Sequence, residues 1–164
     1  MATVVTGCAV SPVADVKAEA SKALEIHTDT EPLAERLPKL GRIVSAHWQQ
    51  ETPGGDSRVP GPTDYRVSAL MQLAPGSVAD LTASTQMQPA TVGPAPQGIS
   101  IPAELSEFAP PGAQWVHSGV LDKSLVRADS AQLYLDPASD TVYLSATNVD
   151  RPMDVTVPAG PDGN

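Results

Sequence analysis

A chain of 164 residues with a formal charge of −9 has length for one ordinary domain with a real core. Its 19 acidic and 10 basic residues include no Lys/Arg cluster, which argues against nucleic acid and against electrostatic docking on anionic lipid. A single cysteine leaves no intramolecular disulfide, and no run reaches the roughly 18 apolar residues of a spanning helix.

The chain opens with Val5-Thr6-Gly7-Cys8, an aliphatic residue, two small ones and a thiol. Small residues let an extended segment enter a processing site, and the thiol supplies the nucleophile for a diacylglyceryl group. These four residues resemble the lipobox of bacterial lipoproteins, which implies lipidation of Cys8 and a place on the outer face of the cell membrane. Only Met1 to Val5 precede Thr6-Gly7-Cys8, with no Lys or Arg, whereas a secretory signal has a basic region and about 7–15 apolar residues. Export is therefore expected to depend on a true start upstream of Met1. Residues 1–11 read as the remnant of a signal and a short tether.

Ser11-Pro12 has the chemistry of an N-cap followed by a first helical position. Val13, Val16, Ala20, Ala23 and Leu24 recur at helical spacing, predicting an amphipathic helix through about Ile26. A second helix is expected from Glu31 to Leu37, ended by Pro38, with Gly41 closing the segment. The period then changes to two. Ile43 to Gln50 reads as a strand with Val44, Ala46 and Trp48 on one face, and Tyr65 to Leu73 as its antiparallel partner. The Gly/Pro-rich stretch 52–62 between them is too long for a tight hairpin.

Ser77 is placed to cap a short helix through Ala83. The stretch at about 86–101 contains Pro89, Pro94 and Pro96 and almost no charge, and reads as an internal loop. Pro102 to Phe108 predicts a helical turn or two. Gln114 to His117 predicts a short strand, and Val120 to Val126 another helical turn. Leu133-Tyr134-Leu135 and Thr141 to Ser145 flank Asp136-Pro137-Ala138-Ser139-Asp140, where alternation and turn chemistry both specify a hairpin. Asp154 to Val157 predicts a last edge strand, and 159–164 a tail. Together these predict a single α+β domain over residues 12–158, its N-terminal and other short helices packed on one face of a mainly antiparallel sheet. Val59-Pro60-Gly61-Pro62-Thr63-Asp64-Tyr65 and Leu133-Tyr134-Leu135-Asp136 are similar to segments of uncharacterised actinobacterial surface lipoproteins, a resemblance that implies location and no chemistry.

His27, His47 and His117 are the only histidines, and no two have metal-ligand spacing. His47 and Trp48 point to opposite faces of a strand, whereas His117 and Trp115 share one. Asp136, Ser139 and Asp140 offer oxygen ligands of the kind calcium takes, but turn chemistry accounts for them without a metal. No catalytic, metal or cofactor site is assigned. Ser118 beside His117, with Asp122 close by, suggests a hydrolase, though no G-x-S-x-G elbow is present and nothing selects a pair of carboxylates. If Leu133, Leu135, Val142 and Leu144 face the core, Tyr134 and Tyr143 face outward together as a surface-binding pair. The expected function is a lipid-anchored extracytoplasmic module, more a binder than an enzyme. Its partners would be the membrane through Cys8 and a cell-envelope protein or glycan. The alternatives are a small envelope hydrolase using His117, and a soluble cytoplasmic protein whose lipobox is accidental.

Overall fold

Four long strands whose side chains alternate between two faces make the frame. The computed structural model of the chain describes residues 24–52, 64–92 and 98–149. In chain order it runs α1 (Glu31–Arg36), a 3-10 turn (Pro38–Leu40), β1 (Ile43–Glu51) and β2 (Arg66–Leu73). Next come α2 (Ser77–Ala83), β3 (Gln88–Pro89), β4 (Thr91–Val92), β5 (Gly98–Ile99) and α3 (Ala103–Ser106). It continues with β6 (Val116–His117), α4 (Gly119–Leu125), β7 (Ser130–Asp136) and β8 (Thr141–Thr147). Six strands form one sheet in the order β1-β2-β8-β7-β6-β3, antiparallel throughout, while β4 and β5 pair separately in parallel. The fold is α+β.

The first face of the sheet is apolar. Ala46 and Trp48 of β1, Val67, Ala69, Met71 and Leu73 of β2, Val142, Leu144 and Ala146 of β8, and Leu133 and Leu135 of β7 are all buried there. Helices close this face with Leu33 from α1, Leu37 and Leu40 around the 3-10 turn, Val78 from α2, and Leu121 and Val126 from α4. Period-two alternation in the strands and a few leucines at helical spacing suffice to build this core. Of the described helices, α3 alone sits elsewhere, with Leu105 packed on the second face.

Several local expectations shift. Val44 is 55% exposed rather than core-facing, because a bulge between Ile43 and Ser45 makes it the extra residue of β1. The helix expected through Ile26 begins outside the described residues; Leu24 to Ile26 are not helical, and His27 exchanges backbone hydrogen bonds with Trp48. The N-cap of α2 is Gly76, not Ser77. Its first turn is capped from a distance, the Asp140 carboxylate accepting from the amides of Gly76 (3.0 Å) and Val78 (3.1 Å). The 86–101 stretch is tied to the sheet edge through β3 and the Ala90 amide, which donates to Trp115. Lipobox residues 5–8, the 53–63 stretch and the strand expected at 154–157 lie outside the described residues. No described helix is long and apolar enough to cross a membrane.

Candidate functional site

The second face carries the other half of each strand's residues, and pairing arranges them in rows. His47, Leu70, Tyr143, Tyr134 and His117 form a central row across β1, β2, β8, β7 and β6. Gln49, Ser68, Ser145 and Gln132 form the next, followed by Glu51, Arg66, Thr147 and Ser130. Residues 98–115 cross this face as a strap. Ile99, Leu105 and Trp115 of the strap pack against Leu70, Tyr134 and Tyr143, and Phe108 stacks on the His47 imidazole with ring centroids 3.7 Å apart. The strap therefore roofs the central row. It leaves the rows of Gln49 and Glu51 open on one flank.

Tyr134 and Tyr143 do lie together opposite the leucines, with ring centroids 6.2 Å apart. They are not a surface pair: Tyr143 is 1% exposed and Tyr134 8%, because strap residues needed somewhere to bury their own apolar side chains. The Tyr143 hydroxyl donates to the Ser100 carbonyl (2.9 Å), pinning the strap to β8. Burial pushes the ionisation of Tyr143 above its ordinary range; the hydroxyls of Ser68 and Ser145 partly offset this by favouring the phenolate, and Tyr134 adds to it. Tyr134 is raised by burial and then by the negative charge of Asp122.

Beside the strap, the uncovered rows form a groove of about 380 Å³ lined by Gln49, Ser68, Ser145, Thr147, Ser130 and the Glu51–Arg66 pair, with Ser100 and Pro102 of the strap along one side. Among the described residues its only charges are on Glu51 and Arg66, which bond one another at 3.5 Å. The rest of its chemistry is hydroxyl and amide. Gln49 is 6% exposed, and its Oε1 is buried with no donor among the described residues, an arrangement that leaves a costly unmade hydrogen bond. The sequence reading did not single out Gln49, Ser68 or Ser145. Their signal was the polar phase of alternation in three strands, visible once the pairing register puts them side by side.

At the other end of the central row, His117 Nε2 lies 2.8 Å from Asp122 Oδ2, and the imidazole packs at a tilt on Tyr134. The second Asp122 oxygen accepts from the Leu133 amide at 2.8 Å. β6 ends at His117, so on its β6 edge β7 has no strand partner beyond Tyr134, while its other edge stays paired with β8; the carboxylate takes the place of the missing partner and ties α4 to both β6 and β7. Ser118 is buried, and among the described residues no hydroxyl is bonded to the His117 ring. His117, Ser118 and Asp122 are thus neighbours without a nucleophile engaged by the base. Asp136 accepts from the Ser139 hydroxyl (2.6 Å) and the Gln114 amide (3.2 Å), and Asp140 is spent on α2. Among the described residues no three His, Cys, Asp or Glu side chains converge as metal ligands. Comparison with family models, curated proteins and solved structures finds no significant match.

Proposed function

We propose that this protein is a binding module held at the outer face of the cell membrane by lipid on Cys8, and that the polar groove beside the strap is its binding surface. The observation behind the binding half is the unequal treatment of the two sheet faces. Helices pack over the apolar residues of the first, while beside the strap the second keeps two rows of polar side chains, one of them holding the Glu51–Arg66 pair, along an open groove on rigid strands. Strands hold side chains at fixed spacing, which suits recognition better than loops do. The tether half has the lipobox residue types behind it.

The two halves are tested separately. Expression of the gene with its upstream region in a lipoprotein-processing bacterium, fed a clickable palmitate analogue, should label the wild-type chain and not Cys8→Ser. Equal labelling of both, or none in either, sinks the anchor. For the binding surface, a photo-crosslinking residue at Ser130 should capture envelope material on intact cells, and one at Val120 on α4, 68% exposed, should not. Capture from Val120 alone would place the working surface elsewhere.

A small envelope hydrolase is the second reading, favoured by the 2.8 Å His117–Asp122 contact. A general base must reach the proton it abstracts, and here the pair serves the β6–β7 junction. If His117→Ala abolishes a hydrolytic activity of the purified protein without unfolding it, that reading replaces the first.

A further inference from the structure

The chemistry of the groove narrows what it can hold. An anionic ligand would need an unspent cation, and Arg66, the one base among the described residues lining the groove, already faces Glu51. An apolar ligand would have to desolvate Ser68, Ser145, Thr147, Ser130 and Gln49 without replacing their hydrogen bonds, which costs more than its own burial returns. What remains is a neutral ligand rich in groups that both donate and accept.

We propose that the groove binds a saccharide, with Gln49 as its principal polar contact. This rests on reading the groove as the binding surface. Six of the lining residues, Ser68, Ser100, Ser130, Tyr143, Ser145 and Thr147, carry hydroxyls, each able to donate one hydrogen bond and accept others, and sugar hydroxyls have the same dual character. Neighbouring strands set Gln49, Ser68 and Ser145 about 5 Å apart in one row, close to the span of a pyranose ring. The Thr147 row repeats that pattern two residues along. A cleft of about 380 Å³ falls within the roughly 300–1,000 Å³ of small-molecule sites.

Gln49 supplies the independent observation. Its amide oxygen is buried and takes no hydrogen bond from the described residues, while Ser130 is exposed and Ser145 and Thr147 are only partly buried. Rotation of the amide about its last torsion exchanges oxygen for NH2, so the side chain can present either end to a ligand hydroxyl. A sugar that reaches Gln49 satisfies a group that the empty protein leaves unpaired. The strap completes the site: Tyr143, through its hydrogen bond to Ser100, fixes the wall beside which the ring would lie. An extended peptide is less suited, since its backbone pairs with a strand edge and this groove lies on a sheet face.

The test is a titration of the full chain carrying Cys8→Ser, with amide resonances observed by NMR. The probes are maltotriose, cellotriose and N,N'-diacetylchitobiose, with inorganic phosphate and a neutral Gly/Ser tetrapeptide alongside. At least one sugar should shift the Gln49 side-chain NH2 and the backbone amides of Ser68 and Ser145 in a saturable manner. Gln49→Leu and, separately, Ser145→Ala should each weaken that response about fivefold or more, the effect of one lost neutral hydrogen bond. Both variants should keep the wild-type spectrum in the apolar core, and Ser145 is accessible enough to be changed without disturbing packing.

Saturation by the tetrapeptide or by phosphate at these residues, or sugar shifts confined to other parts of the molecule, overturns the proposal. So does the absence of any response to all three sugars. Should Ser130 crosslinks persist in that last case, only the ligand class fails; should they vanish too, the groove itself is not the binding surface.

Discussion

The two faces of the central sheet come from the same strands, one residue out of phase, and they have opposite roles. Leu133, Leu144 and Met71 on the first face are fully enclosed beneath helices. On the second face, Tyr134, Tyr143 and Leu70 are enclosed mainly by the strap, with Ile26 and Ala90 packed alongside, and Gln49, Ser68 and Ser145 beside them line an open groove. The first face is closed by elements that are themselves amphipathic, so each leucine has one place to go. The second is closed by a segment with few apolar anchors, and what the anchors do not reach stays wet. Apolar packing beneath helices is concentrated on one face, and hydroxyl and amide groups line a groove on the other.

That contrast can be broken by substitution, with effects that should descend from the first face to the groove. Leu144→Ala removes a side chain with 0% exposure and should destabilise the fold by about 2–5 kcal/mol, measured as a fall in the urea midpoint. A loss similar to that of a surface change would mean the first face is not the core. Asp122→Ala strands the buried Leu133 amide and frees His117. It should cost about 1.5–3 kcal/mol, with Asp122→Asn recovering part because one acceptor remains. Equal losses for both variants would show that the carboxylate charge matters more than its geometry.

Tyr143→Phe deletes the hydrogen bond to Ser100 and should cost about 1 kcal/mol. Amide exchange should quicken in residues 98–106 and stay unchanged in β2 and β8; acceleration everywhere would mean the strap is part of the same cooperative unit as the core. The two tyrosines also make a pH prediction. Burial holds their folded-state ionisation above the ordinary tyrosine range of about 10, so the folded state holds the proton more tightly than the unfolded one. The stability this contributes is complete below pH 10 and is lost as pH rises through the raised value. Spectrophotometric titration should show two phenols ionising late, together with the onset of unfolding. The smallest effect is expected for Ser145→Ala in the groove, within about 0.5 kcal/mol in stability, despite its effect on ligand. A larger loss would assign the groove residues to the fold rather than to binding.

Much of this architecture could be read from residue types. Alternation from Arg66 to Leu73 and from Leu133 to Ser145 located the long strands and their apolar phase, and Asp136 to Asp140 marked the hairpin. Val44 escaped because a bulge is invisible to a strict period of two. The role of Asp140 escaped because its partners, Gly76 and Val78, lie far along the chain. A turn aspartate and a distant helix cap look alike in sequence. The tyrosine pair shows the same limit in another form: phase placed both rings on the face away from the leucines, but only the path of residues 98–115 decided that this face is covered there.

By itself, then, the sequence determined the period of each element, the apolar face that had to be buried, the acidic net charge, and the residue types at Val5-Thr6-Gly7-Cys8 on which the proposed anchor rests. These follow from local geometry and from the chemistry of single side chains. Tertiary structure alone decided the rest. Register sets Gln49, Ser68 and Ser145 in one row, and the strap roofs the tyrosines while leaving that row open. The short β6 gives the Asp122 carboxylate a backbone amide to hold. Such features depend on which residues meet across the sheet, and long-range pairing is a property of the packed whole.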